Sequence, residues 1–339
     1  MAVCPFAVAL APGTAAGSFP GREILLFASA LVCNTPPHPG RRRPGVFASL
    51  SFLPVRIREC LVRTGLVIRG SQGNLYRMTS AAALLEMKNV SVIRGENLAL
   101  DRLSLRISLG EHLCILGPNG CGKSTLIRTI TRENYPLIRN DARMTILGKS
   151  RWNIFELRSL LGIVSPDLLA ACTTDATGLD VVLSGFFSST RIFPNHAPKP
   201  EHRHRGEAAL ARLSISHLAN RAVAEMSSGE AKRTLIARAL VHEPQTLLFD
   251  EPSNALDITG QVGLRETMRE LTRGGLGILL VTHHVSEIIP EIERVVLMQR
   301  GRIVADGAKS EVLTSKRLSA LFGVPVKLFR EGEYFHVHP

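Results

Sequence analysis

No apolar run in the sequence approaches the ~20 residues that a membrane-spanning helix requires, and the longest early candidate, "ILLFASALVC" (24–33), is about half that length. The chain is therefore not expected to cross a bilayer by itself. Its six cysteines, at 4, 33, 60, 114, 121 and 172, include no CxxC pair and follow no regular framework. That pattern excludes a disulfide scaffold and makes a reducing compartment the default. The first 21 residues carry no basic side chain, which argues against a secretory signal. There is no internal repeat. Residues 1–77 contain no lysine, nine arginines and, as acids, only Glu23 and Glu59, so they supply more than half of the net charge of +12. What remains is a mildly basic body that suits acidic partners or a membrane surface, and is weak support for nucleic acid.

What is present changes character near residue 78. Residues 1–77, with "TPPHPGRRRPG" and no periodicity, read as a disordered N-terminal extension. Either an upstream start codon or an Arg-bearing, acid-poor targeting segment accounts for it. From about Leu84 the pattern is α/β. "LLEMKNVSVI" and "LALDRLSLRIS" alternate like antiparallel strands. "EHLCILG", "TLLFDEP" and "GILLVTHH" are short apolar strands ending in polar residues, as buried parallel strands do where they carry function. Residues 172–245 are richer in helical pattern, and 321–339 read as a hairpin tail around Glu331-Gly332.

Gly117-Pro118-Asn119-Gly120-Cys121-Gly122-Lys123-Ser124 matches G-x-x-x-x-G-K-[ST] between a strand and a helix, the context a phosphate loop requires. Glycines bring successive N–H groups close to phosphates, with Thr125 continuing into the helix. Lys123 is expected to neutralise the β/γ-phosphates and Ser124 to ligate Mg²⁺. Asp250, at the end of "LLFD", is placed for the Mg²⁺ shell, Glu251 for general-base duty on the attacking water, and His283 for the γ-phosphate. This is a nucleotide site, with Mg²⁺ as an implied ligand. A second helix start, "MSSGEAKR", also looks built for an anion. Taken alone it could be a plain helix cap.

"GPNGCGKST", "MSSGEAKR", "LLFDEP", "NALD" and "VTHH", in this order and spacing over roughly residues 84–320, resemble the ATP-binding cassette (ABC) ATPases. The resemblance implies a P-loop NTPase (RecA-like) core with an antiparallel β subdomain and an α-helical subdomain. It implies a head-to-tail homodimer in which Ser227, Ser228, Gly229 and Glu230 cap the ATP on the partner's phosphate loop, with Asp257 in the loop joining the two sites. It further places Arg94 where the family stacks an aromatic ring on adenine, and Pro166 where a Gln usually meets the Mg²⁺ site and senses the membrane partner. Ser165 or Asp167 could stand in for that Gln.

"GIVSP", "VVLSGFF", "MSSGE" and "LSALFGVPV" are similar to single-cassette proteins grouped with the molybdate-transport, photorepair and iron-complex importer ATPases. The function implied is ATP hydrolysis on the cytoplasmic face of a membrane, energising a separate permease for a metal, iron complex or oxyanion, through the apolar stretch "GLDVVLSGFFSS" (178–189). The alternative is a soluble cassette acting on nucleic acid or in repair. A single cassette, and too short a stretch between Lys123 and Ser227 for a coiled-coil insertion, argue against that alternative, and Pro166 argues for it. The histidines of "HAPKPEHRHR" (196–205), with their irregular spacing and prolines, read as a solvated loop rather than a metal site.

Overall fold

The computed structural model describes residues 67–69, 75–77 and 83–338, all within the unit Leu50–Pro339. Inside the expected N-terminal extension, β1 (Val67–Arg69) and β2 (Leu75–Arg77) pair antiparallel; the rest of that extension lies outside the described residues.

An antiparallel sheet of order β4-β3-β6 is built from β3 (Ala83–Arg94), β4 (Asn97–Ser108) and β6 (Arg143–Ile146). Its alternation is the physical cause of its one-sided burial: Leu85, Met87, Leu103, Leu105 and Ile107 are buried, while Glu86 and Arg106 face each other outside at 3.5 Å. Gly95, at φ 62, makes the tight β3–β4 turn.

The second sheet has the order β11-β10-β5-β9-β8-β7. Its strands β5 (His112–Leu116), β7 (Leu161–Val164), β8 (Thr246–Asp250), β9 (Gly277–Thr282) and β10 (Arg294–Gln299) run parallel, and β11 (Arg302–Ala308) closes one edge antiparallel. All six residues of β9 are buried, as a strand covered on both faces must be. One face packs Leu113, Ile115, Leu248 and Leu279 against α1 (Lys123–Ile130) and the antiparallel sheet. The other packs Leu247, Phe249, Ile278 and Leu280 against most of the remaining helices. Each such side chain contributes roughly 1.5–3 kcal/mol by leaving water.

α2 (Ile154–Leu160) buries its Leu157 on the first face, and the helices of the second are α3 (Pro166–Cys172), α4 (Gly178–Ser184), α5 (Pro200–Arg212), α6 (Ser228–Leu240), α7 (Ile258–Arg273), α8 (Lys309–Val312) and α9 (Ser315–Phe322). α4, α5 and α6 pack on one another as a helical layer inserted between β7 and β8. Within the 178–189 stretch, Leu179, Val181, Val182 and Leu183 are turned inward and buried among Leu210, Leu235 and Ile236, whereas Phe186 and Phe187 are half-buried. The histidine-rich segment is not a simple loop. α5 begins at Pro200, and His196 and His202 stack on Phe187 and Phe186 with ring centres 4.4 Å apart in each case. No group of three potential metal ligands occurs among the described residues.

The chain closes with the hairpin β12 (Lys327–Glu331) and β13 (Tyr334–His338), which packs on the segment Val285–Glu287. Its turn residues are Gly332 and Glu333, one place beyond the expected pair, because Glu331 still pairs with Tyr334 and Gly332 takes φ 60.

Candidate functional site

The C-terminal ends of β5, β8 and β9 bring the site together, since the three strands are adjacent and parallel. Gly117 follows β5 and ties its N–H to the Thr282 carbonyl at the end of β9, 3.2 Å away. The loop Gly117–Gly122 then turns tightly enough that two glycines are obligatory. A Cβ on Gly117 would lie 2.3 Å from the Met298 carbonyl oxygen. Gly122 sits at φ 106, where a Cβ would meet the Ala99 oxygen at 2.5 Å. Gly120 also has positive φ, and Cys121 is buried under the loop, where burial pushes its thiol up.

α1 starts at Lys123 with no side-chain cap, so its first N–H groups are free for an anion. Thr125 is buried and holds the helix to the core, whereas Ser124 is exposed at that open end. The Lys123 side chain is only 3% exposed. Its ammonium donates back to the carbonyls of Gly117 (2.9 Å) and Pro118 (3.1 Å) and lies 3.3 Å from Glu251 Oε1.

Glu251 stands at the centre. His283 Nδ1 lies 3.3 Å from the same Oε1, and Asn254 Nδ2 donates to Oε2 at 2.9 Å. Burial acts to raise the Glu251 pKa, but the Asn254 hydrogen bond and the charges of Lys123 and His283 outweigh it and leave it lowered. Its neighbour behaves oppositely. Asp250 is raised to about 6, by burial and then by the adjacent Glu251 charge. Its Oδ1 is buried with no hydrogen-bond partner among the described residues. A buried carboxylate oxygen left without a donor is a place prepared for a cation. With the Ser124 hydroxyl at the open helix end it fits a hard divalent ion such as Mg²⁺.

The second helix start stands apart. Ser227 caps α6 in a reciprocal capping box: its hydroxyl accepts from the Glu230 N–H at 3.3 Å, and Glu230 Oε2 accepts from the Ser227 N–H at 2.8 Å. Those hydrogen bonds from Ser227, with further pull from Arg221 and Arg233, hold the Glu230 carboxyl below its ordinary range. Ser227 and Ser228 are exposed, and a Cβ on Gly229 would meet nothing within 4 Å. Among the described residues no hydrogen bond or ion pair joins Ser227–Glu230 to Gly117–Thr125.

Asp257 caps α7 through the Gly260 N–H at 2.7 Å and is followed by the exposed Ile258. Arg94 is exposed at the end of β3. Beyond β7, Pro166 is the first residue of α3. Ser165 spends its hydroxyl on capping that helix, and Asp167 pairs with Arg128 at 2.7 Å. Sequence reasoning gave Asn254 no role at the base, and no role to Lys232, within "MSSGEAKR", or to Glu287 beneath the site; only their burial and partners reveal one.

Comparison with known proteins places the chain among cassette ATPases. Residues 100–254 match the ABC transporter family model. The chain is 30% identical over 248 residues to the ABC transporter ATP-binding protein YlmA of Bacillus subtilis, covering 72% of this chain and 92% of the relative. It is 30% identical to the hemin import ATP-binding protein HmuV of Aliivibrio fischeri, covering 73% and 93%. With the cobalt import ATP-binding protein CbiO of Rhodobacter capsulatus it shares 35%, over 67% and 79%. Among solved structures, CbiO1 of Clostridium perfringens, part of the CbiONQ transporter complex, superposes with a TM-score of 0.57 at 29% identity, covering 70% of this chain and 94% of that one. No described helix is long and apolar enough to cross a membrane. At 30% identity or more over at least two thirds of each chain, these relatives make the chain a member of the ABC transporter ATPase family.

Proposed function

We propose that the chain hydrolyses ATP through Lys123, Glu251 and His283, as one half of a homodimer that drives a separate membrane permease. The observation that carries this reading is the convergence of Lys123 and His283 on one oxygen of Glu251, beside the partnerless Oδ1 of Asp250. In the reaction a water oxygen bonds to the γ-phosphorus while the bridging β–γ oxygen leaves on ADP, and Glu251, held ionised, accepts the water proton. Lys123 exchanges its two loop carbonyls for the β- and γ-phosphates, and His283 donates to the γ-phosphate. Asp250 and Ser124 hold Mg²⁺, which neutralises phosphate charge when bound. Arg94 offers a guanidinium plane to the base.

The dimer reading is supported by Gly229. Nothing among the described residues requires a glycine there, so the close approach it permits serves a body from outside, consistent with the partner's γ-phosphate. Names of relatives supply the class of cargo: hemin for one and cobalt for another, so a metal or metal complex is the proposed substrate of the assembly. The cytoplasmic membrane face is the corresponding location. A soluble cassette is the second reading, favoured by Pro166, which offers no side-chain ligand where coupling to a membrane partner is expected. Co-purification of the tagged full chain in mild detergent separates the two. A multi-span protein in stoichiometric amount supports the transporter; recovery of the chain alone, or with nucleic acid, supports the soluble cassette.

A further inference from the structure

Two buried charges beneath the site have been given no role above, although the first falls within "MSSGEAKR". Lys232 lies on α6, one turn beyond the Ser227 cap, and is 4% exposed; Glu287 follows the His283-His284 pair and is 5% exposed. The Lys232 ammonium reaches out of its helix and donates to two carbonyls of the loop after Glu251, those of Pro252 and of Asn254, the latter at 3.0 Å. Between those two residues, Ser253 donates its hydroxyl to Glu287 Oε1, while Oε2 has no partner among the described residues. Burial pushes the Lys232 pKa down and the Glu287 charge opposes it, so each charge is a reason for the other to be there.

The loop they hold needs holding. Glu251 has φ 43 and Ala255 φ 64, two non-glycine residues in the left-handed region within five positions. Each such residue costs of order 1–2 kcal/mol and persists only where its surroundings over-determine it. The same loop carries Asn254, which donates to Glu251 Oε2. A cation from the α6 side and a carboxylate from the His283 side therefore fix one short loop, and through it the general base.

We propose that Lys232 and Glu287 are positioning residues for hydrolysis, clamping Pro252–Leu256 so that Glu251 is aimed, with Lys232 linking the helix that opens at Ser227 to that aim. The proposal rests on Glu251 being the base. A residue that only aims the base acts on turnover and leaves ATP binding alone, because no atom of either side chain is in the phosphate loop.

The test measures kcat and KM for ATP on the purified full chain, with thermal melts, for Lys232→Met, Lys232→Gln, Glu287→Gln and Glu251→Gln. The expected result for Lys232→Met is a kcat lowered ~10–100-fold with KM within ~2-fold of the parent. Lys232→Gln, whose amide can still donate to carbonyls, recovers part of that loss, and Glu287→Gln lowers kcat ~10-fold. If Lys232→Met melts below the assay temperature, the same kcat-against-KM split in Lys232→Gln and Glu287→Gln decides. A kcat within ~2-fold of the parent, or a loss confined to KM, overturns the proposal. Undiminished turnover by Glu251→Gln instead sinks the assignment of the base, a separate failure.

Discussion

The two helix starts proposed to face anions are built in opposite ways. α1 opens without a side-chain cap, on glycines pressed against Met298 and Ala99, with a lysine buried to 3%. Everything about its shape is demanded by its own core. α6 opens with a complete capping box, two exposed serines and a glycine with open space where a Cβ would stand. Its own fold is satisfied without a ligand, and its one unexplained feature, the glycine, points outward. The first start is a site finished by its own chain. The second, in the reading proposed above, is half of a site, and the difference is what a two-ATP dimer would require.

Breaking the finished half has the largest effect. Glu251→Gln keeps the shape but cannot accept a proton, and is expected to lower ATP turnover ~10²–10⁴-fold in a phosphate-release assay. Lys123→Met removes the buried ammonium and is expected to weaken ATP binding ~100-fold by calorimetry, since a buried charge-assisted contact to phosphate is lost. On the other side of the comparison, Gly229→Asp places a carboxylate at the second residue of α6. The helix dipole favours it and no neighbour obstructs it, so stability should stay within about 0.5 kcal/mol. Turnover should nevertheless fall ~10–100-fold, because the acid confronts the partner's phosphate across the interface. A loss of stability in place of turnover would show that the second start is structural.

The smallest expected effect is a pH dependence. The folded pKa of Asp250, about 6, lies above its unfolded value, so the native chain binds the extra proton between about pH 4 and 6. That contribution to stability is complete at low pH and is lost as pH rises through about 6. Asp250→Asn should therefore match the parent near pH 4 and exceed it by about 2 kcal/mol at pH 7 without nucleotide, read as a difference in denaturant midpoint.

How much of this was legible in the sequence follows from how local each feature is. Gly117–Ser124, Asp250-Glu251 and His283 are contiguous motifs at strand ends, and the parallel order of β5, β8 and β9 brings them together. The alternating strands β3 and β4 were legible for the same reason: each residue's face is set by its neighbour. By contrast, the apolar run Leu179–Leu183 reads identically whether it faces a partner or a core, and only the helices around it decide. Ser165 and Asp167 looked available beside Pro166, but a helix cap and Arg128 already engage them. The roles of Lys232 and Glu287 were invisible because the two residues are far apart in sequence and meet only through the loop between Glu251 and Asp257.

The central claim is that the glycine end of α6 completes a second molecule's ATP site. Sedimentation of the Glu251→Gln chain with and without Mg-ATP tests it most directly, with Gly229→Asp added to the same background. The expected result is a monomer that becomes a dimer holding two ATP, and a doubly substituted chain that binds ATP but remains monomeric. A Glu251→Gln chain saturated with ATP as a monomer, or a dimer indifferent to Gly229→Asp, would contradict it.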